Sequence, residues 1–425
     1  MGLILGCIAD DFTGGTDLAN NLVRSGMRTV QVIGVPDPAS QVPDAEAIVV
    51  ALKSRTAPVV EAVGRSLAAV RWLRAHGAAQ IYFKVCSTFD STPKGNIGPV
   101  TEALMDELGA DFVVIAPAFP ENARTVFKGH LFVGDLLLSD SPMRHHPLTP
   151  MTDANLVRVM QAQLDTAVGR RVGLIDYLCV AQGEAAITQR MAALRAQGVS
   201  LAVADALSND HLCSLAQSSG PLKLVVASSG LAIGIPAQHG LACNPQAAQL
   251  ARASGRRAVV AGSCSATTNA QVARFVAHGG AAFALDPLQL DNDSGLVEQA
   301  LDWARPLLEQ GPVLIYATAG PEAVRDVQDR LGAGRAGALV EQALSRIALG
   351  LVENGVGQLI VAGGETSGAC VEALGISQLR IGPQIDPGVP WCHAVTPVRP
   401  EGVHLALKSG NFGGIDFFTQ AFTRL

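Results

Sequence analysis

The sequence predicts an α/β fold in two domains, and three observations lead to this prediction. The chain has 425 residues, whereas one hydrophobic core rarely serves more than about 250 to 300 residues. Short apolar runs alternate with helix-length amphipathic segments, which is typical of parallel sheets covered by helices. An irregular stretch interrupts this alternation near the middle of the chain. We therefore expect an N-terminal domain over residues 1–245 and a C-terminal domain over residues 246–425.

In the N-terminal domain, strands are predicted where short apolar runs end in turn residues, and helices where apolar residues recur at helical spacing. The segment 118–151 contains four prolines and little periodicity. Long irregular segments in compact enzymes usually serve function, so we expect this one to lie over a site. The predicted strands are 3–9, 29–35, 47–52, 81–84, 112–116, 172–176, 201–204 and 222–227. The predicted helices are 16–25, 59–76, 97–108 and 185–197.

The C-terminal domain follows the irregular stretch 228–257 and repeats the alternation. Its G-x-G-x-x-G pattern, at Gly332, Gly334 and Gly337, follows a predicted helix, whereas the dinucleotide-binding fingerprint follows a strand. We interpret these glycines as a loop between two helices. The predicted strands are 258–261, 281–285, 313–317 and 358–362, and the predicted helices are 271–278, 296–308, 321–331 and 338–353.

The composition excludes several classes of protein. A chain with 48% hydrophobic and 16% charged residues is not disordered. Lys+Arg 31 against Asp+Glu 37 gives a net charge of −6, which disfavours nucleic acid and anionic lipid as partners. The eight cysteines lack metal-ligand spacing and indicate reduced thiols. A signal peptide requires a basic residue before its apolar segment, and none precedes the apolar run 3–9. We expect a cytoplasmic protein without a structural metal and leave a homo-oligomer open.

The first motif with chemical content is ADDFTGGTDLAN at residues 9–20. A strand ends in Asp10 and Asp11, and we expect a Gly14-Gly15 turn before a helix that starts near Thr16. Ligands of open α/β sheets lie at the carboxyl ends of strands, and capping would require only one acid there. We therefore take Asp10 and Asp11 as candidate catalytic residues.

Two further loops follow predicted strands and are rich in hydrogen-bond donors. They are ALKSRT at 51–56 and KVCSTFDSTPKGNIG at 84–98. Such loops suit a small, oxygen-rich anion, because arginine binds a carboxylate through two parallel hydrogen bonds and lysine supplies a point charge. The candidate substrate-binding residues are Arg55, Lys84, Asp90, Ser91 and Asn96.

The C-terminal domain carries three glycine-containing turns, each after a predicted strand. They are AGSCSATTNAQ at 261–271, AGGETSG at 362–368 and LKSGNFGG at 407–414. Adjacent glycines let backbone N–H groups converge, and a helix N-terminus adds positive charge, which together favour a phosphate. We therefore predict nucleotide binding, and we expect Gly364 and Gly410 to need a positive φ or a close approach of the backbone to phosphate.

Through these motifs the chain resembles the four-carbon acid sugar kinase family. The resemblance runs through IADDFTGGTDLA, FKVCSTFDSTPKGNIGP, VAGSCSATT, VAGGETSG and LKSGNFGG, so it spans nearly the whole chain. SPMRHHPLTPMTDANL at 141–156 is similar to the 3-oxo-tetronate kinase branch of that family. The resemblance implies a sugar-acid-binding N-terminal domain, a nucleotide-binding C-terminal domain and an active site in the cleft between them.

The activity that the resemblance implies is ATP-dependent phosphorylation of the C4 hydroxyl of a 3-oxo-tetronate, in sugar-acid catabolism. ATP and Mg²⁺ would be the cofactors, and Asp10, Asp11 and Glu365 are candidates to hold the metal directly or through water. The resemblance gives no catalytic base, so that role for Asp11, with Asp10 as second candidate, is our own inference. The family's nucleotide contacts carry over onto Ser263, Ser265, Gly363, Gly364, Glu365, Thr366, Ser367 and Gly410.

Three alternatives stay open at this point. One is a kinase of D-threonate or D-erythronate. Another is a sugar-acid lyase or dehydrogenase, although the missing dinucleotide-binding fingerprint disfavours NAD. The third is a non-catalytic sugar-acid sensor. Formation of ADP that depends on a sugar acid distinguishes a kinase from the other two classes.

Overall fold

The computed structural model describes residues 2–37, 43–146, 148–290 and 295–425. The chain forms two compact units, Met1–Ala248 and Gln249–Leu425. Pro147, one of the four prolines in the predicted irregular segment, lies outside the described ranges. Within those ranges, no helix is both long and apolar enough to cross a lipid bilayer.

The first unit is built on a parallel sheet with helices around it. Its strands are β1 (Leu5–Ala9), β2 (Thr29–Ile33), β3 (Ala47–Ala51), β4 (Gln80–Lys84), β5 (Val113–Ala116), β6 (Arg124–Phe127), β7 (His130–Val133), β8 (Leu136–Leu137), β9 (Val172–Ile175), β10 (Leu201–Ala204) and β11 (Leu224–Ala227). The parallel sheet has the order β2-β3-β1-β4-β11-β5-β10-β9. β1, β3 and β4 are buried at every position, as expected of strands covered on both faces.

The four helices that the sequence predicts in this unit are present as α1, α2, α3 and α6, with one correction at α1, whereas α4, α5, α7 and α8 were not predicted. That helix begins at Phe12 rather than near Thr16, so Gly14 lies inside its first turn and the predicted turn is wrong. A Cβ at Gly14 would collide with Asp11 Oδ1 and Lys84 Nζ, so glycine is needed there for close approach. The helices are α1 (Phe12–Arg24), α2 (Val59–Ala75), α3 (Ile97–Leu108), α4 (Leu156–Gln161), α5 (Tyr177–Val180), α6 (Glu184–Ala196), α7 (Asn209–Ser218) and α8 (Ile235–Gln238).

The segment 118–151 is more regular than its sequence predicts. It contains β6, β7 and β8, which pair as a small antiparallel sheet. The turn between β6 and β7 consists of Lys128, with φ 51°, and Gly129, with φ 75°. Two-residue hairpin turns of this kind normally signal themselves with Asn-Gly or Asp-Gly. The lysine in the first position explains why the sequence gives no hairpin signal.

The second unit has a mixed sheet. Its strands are β12 (Arg256–Ala261), β13 (Ala281–Ala284), β14 (Val313–Tyr316), β15 (Val356–Ala362), β16 (Gln378–Asp386), β17 (Val389–Thr396) and β18 (Arg399–Lys408). The order is β13-β14-β12-β15-β18-β17-β16, parallel as far as β18 and antiparallel beyond it. The helices are α9 (Ala266–Ala277), α10 (Pro287–Leu290), α11 (Leu296–Leu307), α12 (Pro321–Leu331), α13 (Ala333–Glu353), α14 (Gly364–Ala373) and α15 (Phe417–Gln420).

Three features of the second unit differ from the prediction. α9 begins at Ala266 rather than at residue 271, because the Ser265 hydroxyl caps it there. β16 and β17 were not predicted, because each contains a proline, which normally argues against a strand interior. The loop predicted at Gly332, Gly334 and Gly337 shrinks to Gly332 alone, since α13 begins at the next residue. Gly332 has φ 82°, a conformation that separates α12 from α13 without further loop residues.

Candidate active site

Three neighbouring strands of the first unit bring the predicted charged residues to one edge of the sheet. β3, β1 and β4 are adjacent and parallel, and their last residues stand in register. Asp10 and Asp11 follow β1 directly, Arg55 lies in the loop after β3, and Lys84 is the last residue of β4. The structure therefore brings together the acids and bases that strand-end positions predicted.

Arg55 lies at the centre of this charged cluster. Its Nε and Nη2 lie 2.9 and 2.8 Å from the two carboxylate oxygens of Asp10, a bidentate pair. Nη2 also donates to Asp11 Oδ1 at 2.6 Å, and Nη1 lies 3.8 Å from Asp90 Oδ2. Planar guanidinium groups favour such fork-like pairing. Two of the three guanidinium nitrogens are thus engaged by the protein's own carboxylates.

The two adjacent acids differ in their protonation behaviour. Burial raises the pKa of the Asp10 carboxyl above its ordinary value, and Arg55 only partly opposes this effect. Burial also acts on Asp11, but there the charges of Arg55 and Lys84 outweigh it and hold the pKa below its usual range. Asp11 therefore stays ionised at neutral pH. Its side chain is 24% exposed, against 7% for Asp10, so Asp11 is the acid that a ligand can reach.

Lys84 is the cation of the cluster with unused donors. Burial lowers its pKa, but Asp11 and Asp10 raise it further, so the ammonium stays charged. Its ion pair with Asp11 Oδ1 spans 3.8 Å, and Lys84 Nζ forms no hydrogen bond with the residues that the structure describes. An ammonium has three N–H donors, so Lys84 is equipped to bind an anionic ligand group.

The loop after β4 holds Asp90 in an uncommon backbone conformation. Phe89 has φ 63° and Asp90 has φ 30°, and both residues are buried. Thr88 Oγ1 donates to Asp90 Oδ1 at 2.6 Å. Ser91 Oγ accepts from Gln163 Nε2 at 2.7 Å, so its hydroxyl is already tied to the protein. Non-glycine residues with positive φ cluster at functional sites, where the surrounding structure enforces them.

The Asn96 side chain forms hydrogen bonds with the backbone of the loop that carries Arg55. Its amide nitrogen donates to the carbonyls of Ser54, Arg55 and Ala57 at 2.8, 3.2 and 2.9 Å. One buried side chain thus fixes the backbone that carries the guanidinium. The geometry assigns Asn96 a positioning role, while its predicted contact with substrate stays a prediction.

Replacing Asn96 by alanine should therefore destabilise the first unit and weaken its ligand binding together. Three backbone carbonyls, one buried and two partly buried, would lose their donor, which costs on the order of 2 kcal/mol in the free energy of unfolding. Urea denaturation and the KM for the acidic substrate are the measurements. Asn96→Asp is a second test, because aspartate keeps the shape of the side chain but lacks its N–H donors. We expect this variant to lose at least as much stability and substrate binding as Asn96→Ala. Unchanged values in both variants would contradict the positioning role.

In the second unit, the three predicted glycine turns meet at one sheet edge. They follow β12, β15 and β18, which are adjacent and parallel. Ser265 caps α9 through its hydroxyl, which accepts from Thr268 N at 3.1 Å and donates to the Gly410 carbonyl at 2.7 Å. A Cβ on Gly410 would collide with Ser263 Oγ. The turns therefore contact one another, and two helices, α9 and α14, begin among them.

The turn after β15 needs glycine at a different residue from the one predicted. Gly363 has φ 129°, a conformation that side-chain-bearing residues rarely adopt, whereas Gly364 is the first residue of α14 and has no positive φ. The expectation of a positive φ at Gly364 is therefore wrong, while a close approach of its backbone to phosphate stays a prediction. Glu365 is exposed in the first turn of α14. Thr366 and Ser367 are buried, and Ser367 Oγ lies 3.5 Å from the Val361 carbonyl.

Two buried ionisable residues near these edges were not predicted. Asp17, in α1, accepts from Ser229 Oγ, and burial raises the pKa of its carboxyl to about 7. Lys408 ends β18 beneath the third glycine turn. Both belong to motifs that the sequence singles out, at 9–20 and 407–414. Residue spacing alone does not show which members of a motif point inward.

Two family models match the chain. The model of a sugar-binding N-terminal domain matches residues 5–235, and the model of a nucleotide-binding C-terminal domain matches residues 258–418. The first contains the Asp10–Arg55–Lys84 cluster, and the second contains all three glycine turns.

Similar proteins match over almost the full length. A 3-oxo-tetronate kinase of Pseudomonas fluorescens is 56% identical over 426 residues, which cover 99% of this chain and 97% of that protein. One of Cupriavidus necator is 54% identical over 428 residues, with the same coverage. A crystal structure from Salmonella typhimurium LT2, provisionally described as a tRNA synthase, matches with a TM-score of 0.85 at 43% identity over 98% of each chain. From these matches we conclude that the chain belongs to the four-carbon acid sugar kinase family.

Proposed function

We propose that this protein is an ATP-dependent kinase that phosphorylates the C4 hydroxyl of a 3-oxo-tetronate. The observation that carries the proposal is the match, over nearly the whole chain, to several 3-oxo-tetronate kinases at 54–56% identity. The net charge of −6 supports small-molecule ligands over a tRNA. Kinases of D-threonate or D-erythronate remain the competing assignment.

The first unit supplies the groups that the sugar acid requires. We assign the substrate carboxylate to Lys84, whose charged ammonium has unused donors. Arg55 is held by Asp10 and Asp11 and contributes mainly by fixing these acids. Asp11, ionised and the more exposed of the two, accepts a hydrogen bond from the C4 hydroxyl and orients its oxygen. Phosphoryl transfer depends mainly on such positioning, so a carboxylate of low basicity suffices.

The second unit supplies the nucleotide site. Backbone N–H groups of the three turns, with the N-termini of α9 and α14, bind the phosphates of ATP. In the reaction the C4 oxygen forms a bond to the γ-phosphorus, and the bond from that phosphorus to the β–γ bridging oxygen breaks. The hydroxyl proton leaves toward Asp11 or solvent, and ADP is the second product.

The candidate ligands for Mg²⁺ differ in how well they fit a divalent cation. The oxygens of Asp10 and Asp11 are engaged by Arg55 and Thr13 and lie beside two cations, so they do not suit a further positive charge. Glu365 is an exposed carboxylate in the first turn of α14, beside the phosphate-binding turns. Glu365 therefore fits best. When bound, the metal would neutralise charge on the phosphates.

A panel of four-carbon acids tests the proposal. The purified protein is incubated with ATP, Mg²⁺ and 3-oxo-tetronate, D-threonate or D-erythronate in turn, and ADP release is measured. We expect kcat/KM to be highest for 3-oxo-tetronate, because the relatives at 54–56% identity are named as kinases of that substrate. Preference for threonate or erythronate would reassign the substrate, and absence of ADP formation with every acid would reject the kinase.

A further inference from the structure

Lys408 is fully buried at the end of β18, among neutral oxygens. Its Nζ lies 3.1 Å from Thr268 Oγ1, 3.1 Å from the Ser409 carbonyl, 3.0 Å from the Gly410 carbonyl and 3.1 Å from the Phe412 carbonyl. Thr268 Oγ1 itself donates to the Gly410 carbonyl, so it faces Lys408 as an acceptor. An ammonium donates hydrogen bonds and accepts none, so four acceptors favour the charged form.

This buried cation has no counter-ion among the residues that the structure describes. β15 carries no charged residue. Burial alone lowers the pKa of Lys408, to about 7, with no contribution from a neighbouring charge. A buried charge without a partner is costly, so its presence calls for an explanation. The titratable residues around Lys408 lie on α9, α13, α14, β17 and β18 and in the segment after β18. They are Arg274, Arg335, Glu341, Arg346, Glu353, Glu365, Cys370, Glu372, Cys392, His393, Arg399, Glu401, His404 and Asp416.

The backbone carbonyls that accept from Lys408 also fix the direction of the N–H groups in the same peptide units. In a trans peptide the N–H points away from the C=O. Three carbonyls turn toward Lys408, those of residues 409, 410 and 412. The N–H groups of residues 410, 411 and 413 therefore point away from it. Residues 410 and 411 are consecutive, whereas the Phe412 N–H donates to the Ser409 carbonyl within the turn. Consecutive N–H groups that point the same way can line an anion-binding concavity.

We propose that Lys408 is the positioning residue of the phosphate site: it turns three peptide groups so that their N–H groups face the nucleotide phosphates, and the bound phosphates supply the negative charge that its ammonium lacks. The inference rests on the proposed function, since it requires ATP at this sheet edge. It goes beyond that function because it assigns an interior residue and a protonation change to nucleotide binding.

Binding of the negatively charged ATP phosphates should change the protonation of Lys408. In the free protein, burial outweighs the four oxygen acceptors and lowers the pKa of Lys408 to about 7, so Lys408 is a cation below that pH and largely neutral above it. A phosphate anion nearby favours the ammonium and raises the pKa. ATP binding above about pH 7 must therefore take up a proton, and the affinity for ATP falls as pH rises.

Isothermal titration calorimetry of ATP into the full-length protein tests this directly. Titrations at about pH 8, in two buffers of different ionisation enthalpy, give the number of protons taken up. We expect the wild type to take up close to one more proton than Lys408→Met. We also expect Lys408→Met to bind ATP about tenfold more weakly or worse, since one unit of pKa shift corresponds to a factor of ten. Sugar-acid binding should be unchanged.

Lys223→Met is the matched control. Lys223 Nζ also donates to two backbone carbonyls, those of Leu108 and Gly109, but it lies in the first unit. This control should keep the wild-type affinity and proton uptake. Equal uptake or equal affinity in the wild type and Lys408→Met overturns the inference and leaves the kinase proposal intact. If Lys408→Met does not fold, a wild-type affinity that does not fall between about pH 7 and 9 overturns it instead. A wild type that binds no ATP overturns both.

Discussion

The Asp11→Asn variant should lose turnover by on the order of 10²-fold while folding normally, because the reacting hydroxyl loses the group that orients it. Asparagine keeps the size of the side chain but presents one oxygen and one amide, so it no longer offers a carboxylate to the C4 hydroxyl. It also weakens the contact with Arg55 Nη2, now 2.6 Å from Asp11 Oδ1. Steady-state kinetics with the sugar acid varied give kcat and KM separately. The loss should appear in kcat, because the orienting contact acts on the reacting atoms.

Asp111→Asn serves as the control for that experiment. Asp111 is an acid with an 83% exposed side chain, two residues before β5 and therefore at the amino end of the strands. Its removal should leave both constants unchanged. If Asp11→Asn instead keeps near-normal turnover, Asp11 is a structural turn residue, and Asp10 or Asp90 becomes the next candidate.

Gly410→Val should strongly weaken nucleotide binding without affecting the sugar acid. Any Cβ at this position collides with Ser263 Oγ, and a branched side chain adds to the conflict. The turn or the side chains of Ser263 and Ser265 must then move, and either change disturbs the contacts among the turns that present N–H groups to the phosphates. We expect ATP affinity to fall by about 10²-fold or more, as for steric disruption of a phosphate loop built on close approach. Calorimetric titrations with ATP and with the sugar acid measure the two effects separately.

Gly320→Val is the matched control for the glycine experiment. Gly320 lies in the same unit before α12, has φ −71°, and has open space where a Cβ would stand. It should bind ATP like the wild type. Unchanged ATP affinity in a folded Gly410→Val protein would remove the glycine turn from the phosphate site.

The sequence is sufficient to predict several of the residues that meet at each sheet edge, although not Asp17 or Lys408. Strand ends are visible in sequence, and parallel neighbours place those ends side by side, so the sequence alone groups Asp11, Arg55 and Lys84. The three glycine turns of the second unit are grouped in the same way. What the sequence does not show is how the charges pair. It leaves Arg55 available for the substrate, whereas the structure engages that residue with Asp10 and Asp11.

The remaining differences concern contacts between residues far apart in sequence. Asn96 reaches the carbonyl of Ala57, which lies 39 positions away, and Gln163 reaches Ser91 over 72 positions. No local periodicity encodes such contacts. Lys408 is the clearest case, because a lysine at a strand end is expected to be exposed, yet here it is fully buried. Its oxygen partners are mainly backbone carbonyls, which every sequence has.

The position of the phosphate in the product tests the central claim most directly. A ¹H–³¹P correlation spectrum of the reaction with ATP, Mg²⁺ and 3-oxo-tetronate identifies the carbon that carries the new phosphate. A kinase acting on the C4 hydroxyl predicts a cross-peak between the product phosphorus and the two C4 methylene protons, in an amount equal to the ADP formed. A cross-peak to the C2 proton, or ADP accompanied only by inorganic phosphate, would contradict the proposed reaction.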